Sequence, residues 1–238
     1  MAINMLKKRL HKIAAIQKER YQYAEQLLPR TLENLIATPL PDEECDVRDL
    51  DLLVLDFETT GLDPNKDSVL SIGWVEVIQS IIHLNKAHHL YIHHRDSIAP
   101  ESVKIHHIRP EDLRSEGIPQ DVAFELLFNA MVGKIIVAHG TVVERHFINE
   151  YIQQKFNVPI PPLLWFDTLQ IEKYRLQMTR HKADWRLSSL RQNIGLPCYT
   201  AHHALNDALS AAELYLAQIQ RLFGNEKAPL GIILEASK

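Results

Sequence analysis

The chain has 238 residues, enough for one domain of good size and a smaller appendage. Hydrophobic residues make up 46% and charged residues 24%, as in ordinary soluble globular proteins, and no apolar run reaches the length of a membrane span. The net charge of −4 argues against a large nucleic-acid contact held by charge alone, and two cysteines without metal-binding spacing favour a reducing, cytoplasmic location.

The N-terminal part of the chain is predicted to be helical over residues 1–38. Apolar residues follow helical spacing there and continue past Pro29, and basic residues cluster near the start. Residues 39–50 contain two prolines and an acidic cluster, a composition typical of a linker. Residues 1–50 are therefore predicted to form a helical extension and linker, which either packs on the main domain or contacts a polymerase or another protein partner.

The segment Asp51–Asp63, DLLVLDFETTGLD, begins with an almost unbroken apolar run, as a strand buried on both faces would. Asp56 and Glu58 interrupt this run near its end. Alternate residues of a strand point to the same side, so the two carboxylates are predicted to lie next to each other. A divalent cation would compensate their charge, whereas a strand end that has simply reached solvent would need none.

The remaining elements are predicted from periodicity and turn residues. Strands are predicted at Val69–Gln79, Ile81–His94, Lys134–Ala138 and Leu163–Phe166. Helices are predicted at Pro110–Ser115, Gln120–Met131, Val142–Phe156, Trp185–Asn193 and Ala204–Leu222, with Asp167 opening one more. This order predicts an α/β fold, a mixed sheet flanked by helices over residues 51–224, followed by a short tail at 225–238.

Two histidine doublets lie in the third predicted strand, at His88–His89 and His93–His94. Adjacent residues of a strand point to opposite faces, so neither doublet is suited to bind one metal ion. These four side chains are predicted to be mostly surface histidines.

Two later stretches supply further chemistry. Glu144 lies in the helix that follows the strand ending at His139, and both are expected near the carboxyl edge of the sheet, where sites of open α/β sheets lie. The last long helix begins with His202, His203 and Asp207. A histidine four residues from an aspartate could bind zinc, and an aspartate in a first turn could also serve the helix dipole alone.

Together these stretches resemble the DEDDh-type 3′→5′ exonucleases, a family that includes the proofreading subunit of bacterial DNA polymerase III, ribonuclease T and oligoribonuclease. The resemblance covers about residues 51–222. The motif DFETTGLDP, followed by LSIG, and the motif HHALNDA at 202–208 are close to the family pattern. IHHIRPEDL at Ile105–Leu113 is similar to the I-H-G-I-T region of the family.

The middle motif departs from the family pattern A-H-N-x-x-F-D. Gly140 stands at the asparagine position, Val143 at the phenylalanine and Glu144 at the aspartate. Glutamate keeps the negative charge and adds one methylene. These departures favour a second interpretation, a nucleic-acid-binding or polymerase-associated module with a decayed nuclease site, whereas the intact first and third motifs favour an enzyme.

The resemblance implies a ribonuclease-H-like fold and release of nucleoside 5′-monophosphates from single-stranded DNA or RNA 3′ ends. It implies two divalent ions, Mg²⁺ or Mn²⁺, held by Asp56, Glu58, Glu144 and Asp207. It assigns His202 as the general base. The residues that it places around the terminal nucleotide are Thr60, Gly61, Leu62, His106 and His139.

Overall fold

The computed structural model describes residues 11–94, 102–103, 106–176 and 184–238. The strands are β1 (Leu52–Thr59), β2 (Val69–Ile78), β3 (Ile81–Tyr91), β4 (Ile135–Ala138) and β5 (Trp165–Asp167). The helices with described bounds are α1 (His11–Ala24), α2 (Arg30–Ala37), α3 (Pro110–Ser115), α4 (Gln120–Met131), α5 (Val142–Phe156), α6 (Thr168–Leu176), α7 (Leu187–Asn193), α8 (Ala204–Phe223) and α9 (Leu230–Ala236). Within these ranges, none of the helices is both long and apolar enough to cross a membrane.

The five strands form one sheet in the order β3-β2-β1-β4-β5. β1 is antiparallel to β2 and parallel to β4, which is in turn parallel to β5. The carboxyl ends of β1, β4 and β5 therefore meet at one edge. The predicted mixed sheet flanked by helices is confirmed, with small shifts at strand ends. The strand predicted at Leu163–Phe166, for example, lies at Trp165–Asp167, because pairing with β4 begins only at Trp165.

β1 separates two apolar cores. Leu52 and Val54 pack on the side that holds α8, and the opposite side receives Leu53, Leu55 and Phe57. Because side chains alternate along a strand, Asp56 and Glu58 continue the series of Leu52 and Val54. Both carboxylates therefore point towards α8, as the prediction that they lie on the same side requires.

The N-terminal extension packs on the sheet domain. The helix predicted over residues 1–38 is divided at Pro29, which lacks a backbone N–H and precedes the first residue of α2; residues 1–10 lie outside the described part. Leu32 and Leu35 of α2 are buried in the apolar core on the side of β1 that carries Leu53, Leu55 and Phe57. The guanidinium of Arg20 donates hydrogen bonds to the carbonyls of Pro162 and Thr38 at 2.9 and 2.8 Å.

The segment predicted as a tail, residues 225–238, is not free. It contains α9, whose Leu230 and Ile233 are fully buried in the core shared with α8. The backbone N–H of Leu230 donates to the carbonyl of Cys45 at 3.0 Å, which ties the linker to the C-terminus. α9 has only 7 residues, too few for helical periodicity to reveal it.

Candidate active site

The first turn of α8 lies directly against the sheet beside the β1 carboxylates. Asp56 pairs with Gly73 of β2 across the sheet. A Cβ atom on Gly73 would lie 2.2 Å from backbone atoms of Ala204 and Leu205, so only glycine allows this approach. The close contact brings Asp207, in the first turn of α8, over the end of β1.

His202 and Asp207 face Glu58 at this point. One possible ligand atom from each of these three side chains lies within 4.8 Å of the others. The backbone N–H of His202 donates to Oδ2 of Asp207 at 2.7 Å, and His202 has a left-handed φ of 60°. His203 instead caps α8, with Nδ1 accepting from the N–H of Asn206 at 3.4 Å. Among the described residues the cluster thus contains His202 and not His203, in keeping with the register that the family motif assigns.

Glu144 projects from the first turn of α5 and is only 4% exposed. Its Oε2 has no hydrogen-bond partner among the described residues. Burial raises the pKa of Glu144 to about 8, with a contribution from the charge of Asp167, while the backbone N–H groups of Glu144 and Phe57 partly offset the rise. A buried carboxylate without a cation or a full set of donors is costly, so this position calls for a positive partner.

Asp167 has a structural task beside Glu144. Its Oδ1 accepts from the N–H groups of Gly140 and Leu169, both at 2.9 Å, and its Oδ2 accepts from Thr141 at 3.0 Å. These bonds hold the loop that precedes α5 and confirm Asp167 at the start of α6. Gly140 has a φ of 77°, a left-handed conformation that favours glycine. The departure from the family motif at this position therefore matches the local backbone.

Burial raises the pKa of all four carboxylates, and repulsion from neighbouring carboxylates adds to the rise for Asp56, Glu58 and Glu144. Loss of hydration, and then the charges of Glu144, Asp207 and Glu58, raise the pKa of Asp56 well above its ordinary range. Burial, with the charge of Asp207, raises the pKa of Glu58 to about 8, and loss of hydration also raises that of Asp207. Carboxylate oxygens are the preferred ligands of hard divalent cations. The donor set, together with the partnerless Oε2 of Glu144, fits such ions.

This electrostatic arrangement predicts a metal-dependent stability profile. The ordinary pKa of a glutamate is 4.5, whereas the folded-state pKa of Glu58 and of Glu144 is about 8. Between these values the unfolded chain has released protons that the folded chain still binds, so the stability of the metal-free protein should fall as pH rises. Mn²⁺ at about a hundred times its pH 6 Kd should raise Tm by roughly 5–10 °C at pH 6. The same Mn²⁺ concentration should raise Tm more at pH 8, because the carboxylates bind fewer competing protons there.

Thermal melts in chelator and in Mn²⁺ across this pH range test the prediction. Glu144→Gln removes one of the buried carboxylates without changing its shape, so the metal-free variant should lose less stability as pH rises. Identical pH profiles with and without Mn²⁺ would contradict the assignment of these carboxylates as a cation site.

The loop after β1 is held in shape by Asp67. Its Oδ1 accepts from Oγ1 of Thr60 at 3.1 Å, and its Oδ2 accepts from the N–H of Asp63 at 2.9 Å. A Cβ atom on Gly61 would lie 2.4 Å from Oδ2 of Asp67, so a side chain at this position would displace the Asp67 carboxylate from these hydrogen bonds. Leu62 at the loop tip is 74% exposed and free to contact a ligand.

His106 and His139 line two different cavities, and both of these cavities reach His202. His106 is 4% exposed; its Nδ1 accepts from the N–H of Ile108 at 3.0 Å, and its Nε2 lies 3.1 Å from Oγ of Ser102. His139 lies 3.0 Å from the carbonyl of Trp185 through Nε2, and it lines a cavity of about 650 Å³ that reaches His202. Both rings are thus held by neighbouring residues, and His139 borders the larger opening.

Sequence reasoning missed the role of His89, which was predicted to be a surface histidine. Its half-buried ring lies 4.3 Å from the ring of His203 and 4.7 Å from that of Tyr91. Burial, and then the neighbouring His203, lower the pKa of His89 to about 4. The signal that could have revealed this region is Gly73, an isolated glycine inside an apolar strand, because such a glycine often marks a close backbone approach.

A mixed sheet in this order, with clustered carboxylates and a histidine at its carboxyl edge, defines a nuclease of the ribonuclease-H-like class. Within that class, residues 53–215 match the family model RNase_T, described as exonuclease. The match covers more than half of the chain, which therefore belongs to this exonuclease family.

The chain is similar to several curated proteins. It is 30% identical over 174 residues to DNA polymerase III PolC-type of Thermotoga petrophila, covering 71% of this chain and 12% of that protein. It is 27% identical over 170 residues to DNA polymerase III subunit epsilon of Rickettsia prowazekii, covering 69% of this chain and 72% of that protein. It is 26% identical over 198 residues to ribonuclease T of Buchnera aphidicola, covering 76% of this chain and 88% of that protein. This chain thus spans only a small part of the PolC-type polymerase.

A solved structure of E. coli exonuclease I in complex with a dT13 oligonucleotide superimposes with a TM-score of 0.61. The sequence identity is 18%, and the alignment covers 73% of this chain and 42% of that one. At this identity the likeness concerns the fold alone, and the predicted ribonuclease-H-like fold is thereby confirmed.

Proposed function

We propose that this protein hydrolyses single-stranded nucleic acids from the 3′ end and releases nucleoside 5′-monophosphates. The observation that carries the proposal is the convergence of Glu58, His202 and Asp207 within 4.8 Å, beside the mutually repelling Asp56 and Glu144. A decayed nuclease site would have no reason to keep Glu144 buried against Asp56, because its desolvation costs stability without a cation.

The residues that would hold the metal are Asp56, Glu58, Glu144 and Asp207. Two bound divalent ions, Mg²⁺ or Mn²⁺, supply stabilisation of the attacking and leaving oxygens of an in-line displacement. The chain's own contribution is to fix four carboxylates at the ends of β1, α5 and α8. It also excludes water from their buried sides, which strengthens every charge interaction within the site.

His202 would act as the general base. A ring nitrogen of His202 accepts the proton of the attacking water, a task that suits a side chain whose ordinary pKa lies near neutrality. The hydrogen bond from its backbone N–H to Asp207 holds the backbone of His202, from which the ring extends, next to the carboxylates. The side chain is exposed, so the proton can pass on to solvent.

The substrate would enter along the loop after β1. Thr60, Gly61 and the exposed Leu62 are proposed to contact the terminal nucleotide, with His106 and His139 lining the pocket. Support for a single strand comes from the oligonucleotide complex of exonuclease I. Relatives named as DNA polymerase components and as ribonuclease T leave both DNA and RNA as substrates to be tested.

A polymerase or another protein partner for residues 1–50 is part of the same proposal. The polymerase names of two relatives support it. Tyr21 in α1 and Leu27 just after it are 65% and 98% exposed and offer apolar contacts. A cytoplasmic location fits the two free cysteines, Cys45 and Cys198.

Incubation with 5′-labelled DNA and RNA oligomers, with Mg²⁺, Mn²⁺ or chelator, tests the proposal. Labelled products are expected to shorten progressively from the 3′ end, and only when divalent metal is present. Asp56→Asn serves as the matched control, because it removes a charge at nearly constant volume. Shortening from the 5′ end, or cleavage that persists in excess chelator, would overturn the proposal.

A further inference from the structure

Three residues form a row across the sheet beneath the first turn of α8. Asp56 of β1 pairs with Gly73 of β2, and Gly73 pairs with His89 of β3. Directly paired residues of neighbouring strands point to the same face. The catalytic carboxylate therefore shares one face and one row with a glycine and a half-buried histidine.

Gly73 and His89, called here the α8 seat, make the contacts that support the start of the helix. Gly73 receives the backbone of Ala204 and Leu205, because a Cβ atom would lie 2.2 Å from them. The ring of His89 lies 4.3 Å from that of His203, with an interplanar angle of 32°. One member of the seat thus contacts the helix backbone, and the other contacts its N-cap side chain.

The seat lies next to a strained backbone position. His202 has a φ of 60°, a left-handed conformation that is uncommon for residues other than glycine and persists only where its surroundings impose it. It is flanked by His203, which is held by the ring of His89. On its other side, the backbone N–H of His202 is held by Asp207 at 2.7 Å.

We propose that His89 is a positioning residue of the nuclease site. Its ring is packed against His203 beside Gly73 and sets the distance between the start of α8 and the sheet. This distance determines where His202 and Asp207 lie relative to the β1 carboxylates. His89 packs on His203 and acts through it. The expected effect on kcat rests on the proposed function. The expected effect on cation binding rests only on the contacts of Gly73 and His89 with α8.

The test compares His89→Ala, His89→Phe and the control His83→Ala, which removes a histidine of the same strand. In His89→Ala, kcat should fall by about tenfold to a hundredfold, since displacement of a catalytic group by about 1 Å costs up to that much. KM should change far less, because the loop after β1, with Leu62 at its tip, is untouched. Mn²⁺ affinity, measured by calorimetry, should weaken because Asp207 moves with α8.

His89→Phe restores a flat ring without imidazole chemistry, so it should recover both kcat and Mn²⁺ affinity, and His83→Ala should behave as wild type. Gly73→Ala forces the helix backbone away and should weaken Mn²⁺ binding further. A His89→Ala protein with unchanged kcat and Mn²⁺ affinity would overturn the inference, as would a phenylalanine variant that fails to recover either one. If the wild type cleaves no oligomer, the proposed function fails, and the Mn²⁺ titrations still decide the role of the seat.

Discussion

Replacement of His202 by alanine is expected to lower kcat by about two to four orders of magnitude, the usual contribution of a positioned general base. Mn²⁺ affinity should change little, because the four carboxylates remain in place. Since His202 has a φ of 60°, the substitution could also act through the backbone. His202→Asn addresses this, because asparagine tolerates the left-handed conformation and lacks the base.

Both His202 variants should therefore lose the same large factor in single-turnover rates on a 3′-ended oligomer. His203→Ala is the adjacent comparison: it removes the cap of α8 and the contact with His89, and it should cost less than the loss of the base. If His203→Ala loses most of its single-turnover rate and His202→Ala remains nearly normal, then His203 is the general base and His202 is not.

Glu144→Ala is expected to remove most activity, by at least about a hundredfold, because the fourth carboxylate would be missing from the metal site. Glu144→Gln should have a similar effect at nearly constant volume, which separates lost charge from lost packing. Mn²⁺ affinity should fall in both variants. We also expect the wild type to favour Mn²⁺ over Mg²⁺, because Mg²⁺ demands near-ideal octahedral geometry.

Glu144→Asp should not improve the enzyme, although it restores the residue usual in the family. The loop before α5 is anchored by hydrogen bonds from Gly140 and Thr141 to Asp167, so the shorter side chain would withdraw its carboxylate from β1. Near-normal turnover of Glu144→Ala would contradict the assignment and indicate that another group completes the site. Asp167 is poorly suited to that role, since both of its oxygens already accept backbone hydrogen bonds.

The local parts of this structure followed from the sequence. Helices at Gln120–Met131 and Val142–Phe156 have the predicted bounds, because turn-forming residues flank them: Pro119 and Gly133 around the first, Gly140 and Asn157 around the second. The same-side placement of Asp56 and Glu58 follows from strand alternation, which needs no knowledge of partners. Two features were missed. α9 is too short for periodicity to reveal it. The break at Pro29 was read as a continuation because the helical spacing of apolar residues continues past this proline.

The sequence by itself determined which residues are proposed to carry the chemistry, because acids and histidines stand in family order at the ends of predicted elements. Only the tertiary structure decided how they meet. The pKa of Asp56 is raised by burial and then by the charges of Glu144 and Asp207, residues far away along the chain. The pairing of Gly73 with His89, which supports α8, depends on the register of two strands. Periodicity reports the surroundings of a residue along its own element, whereas these contacts arise only when separate elements pack together.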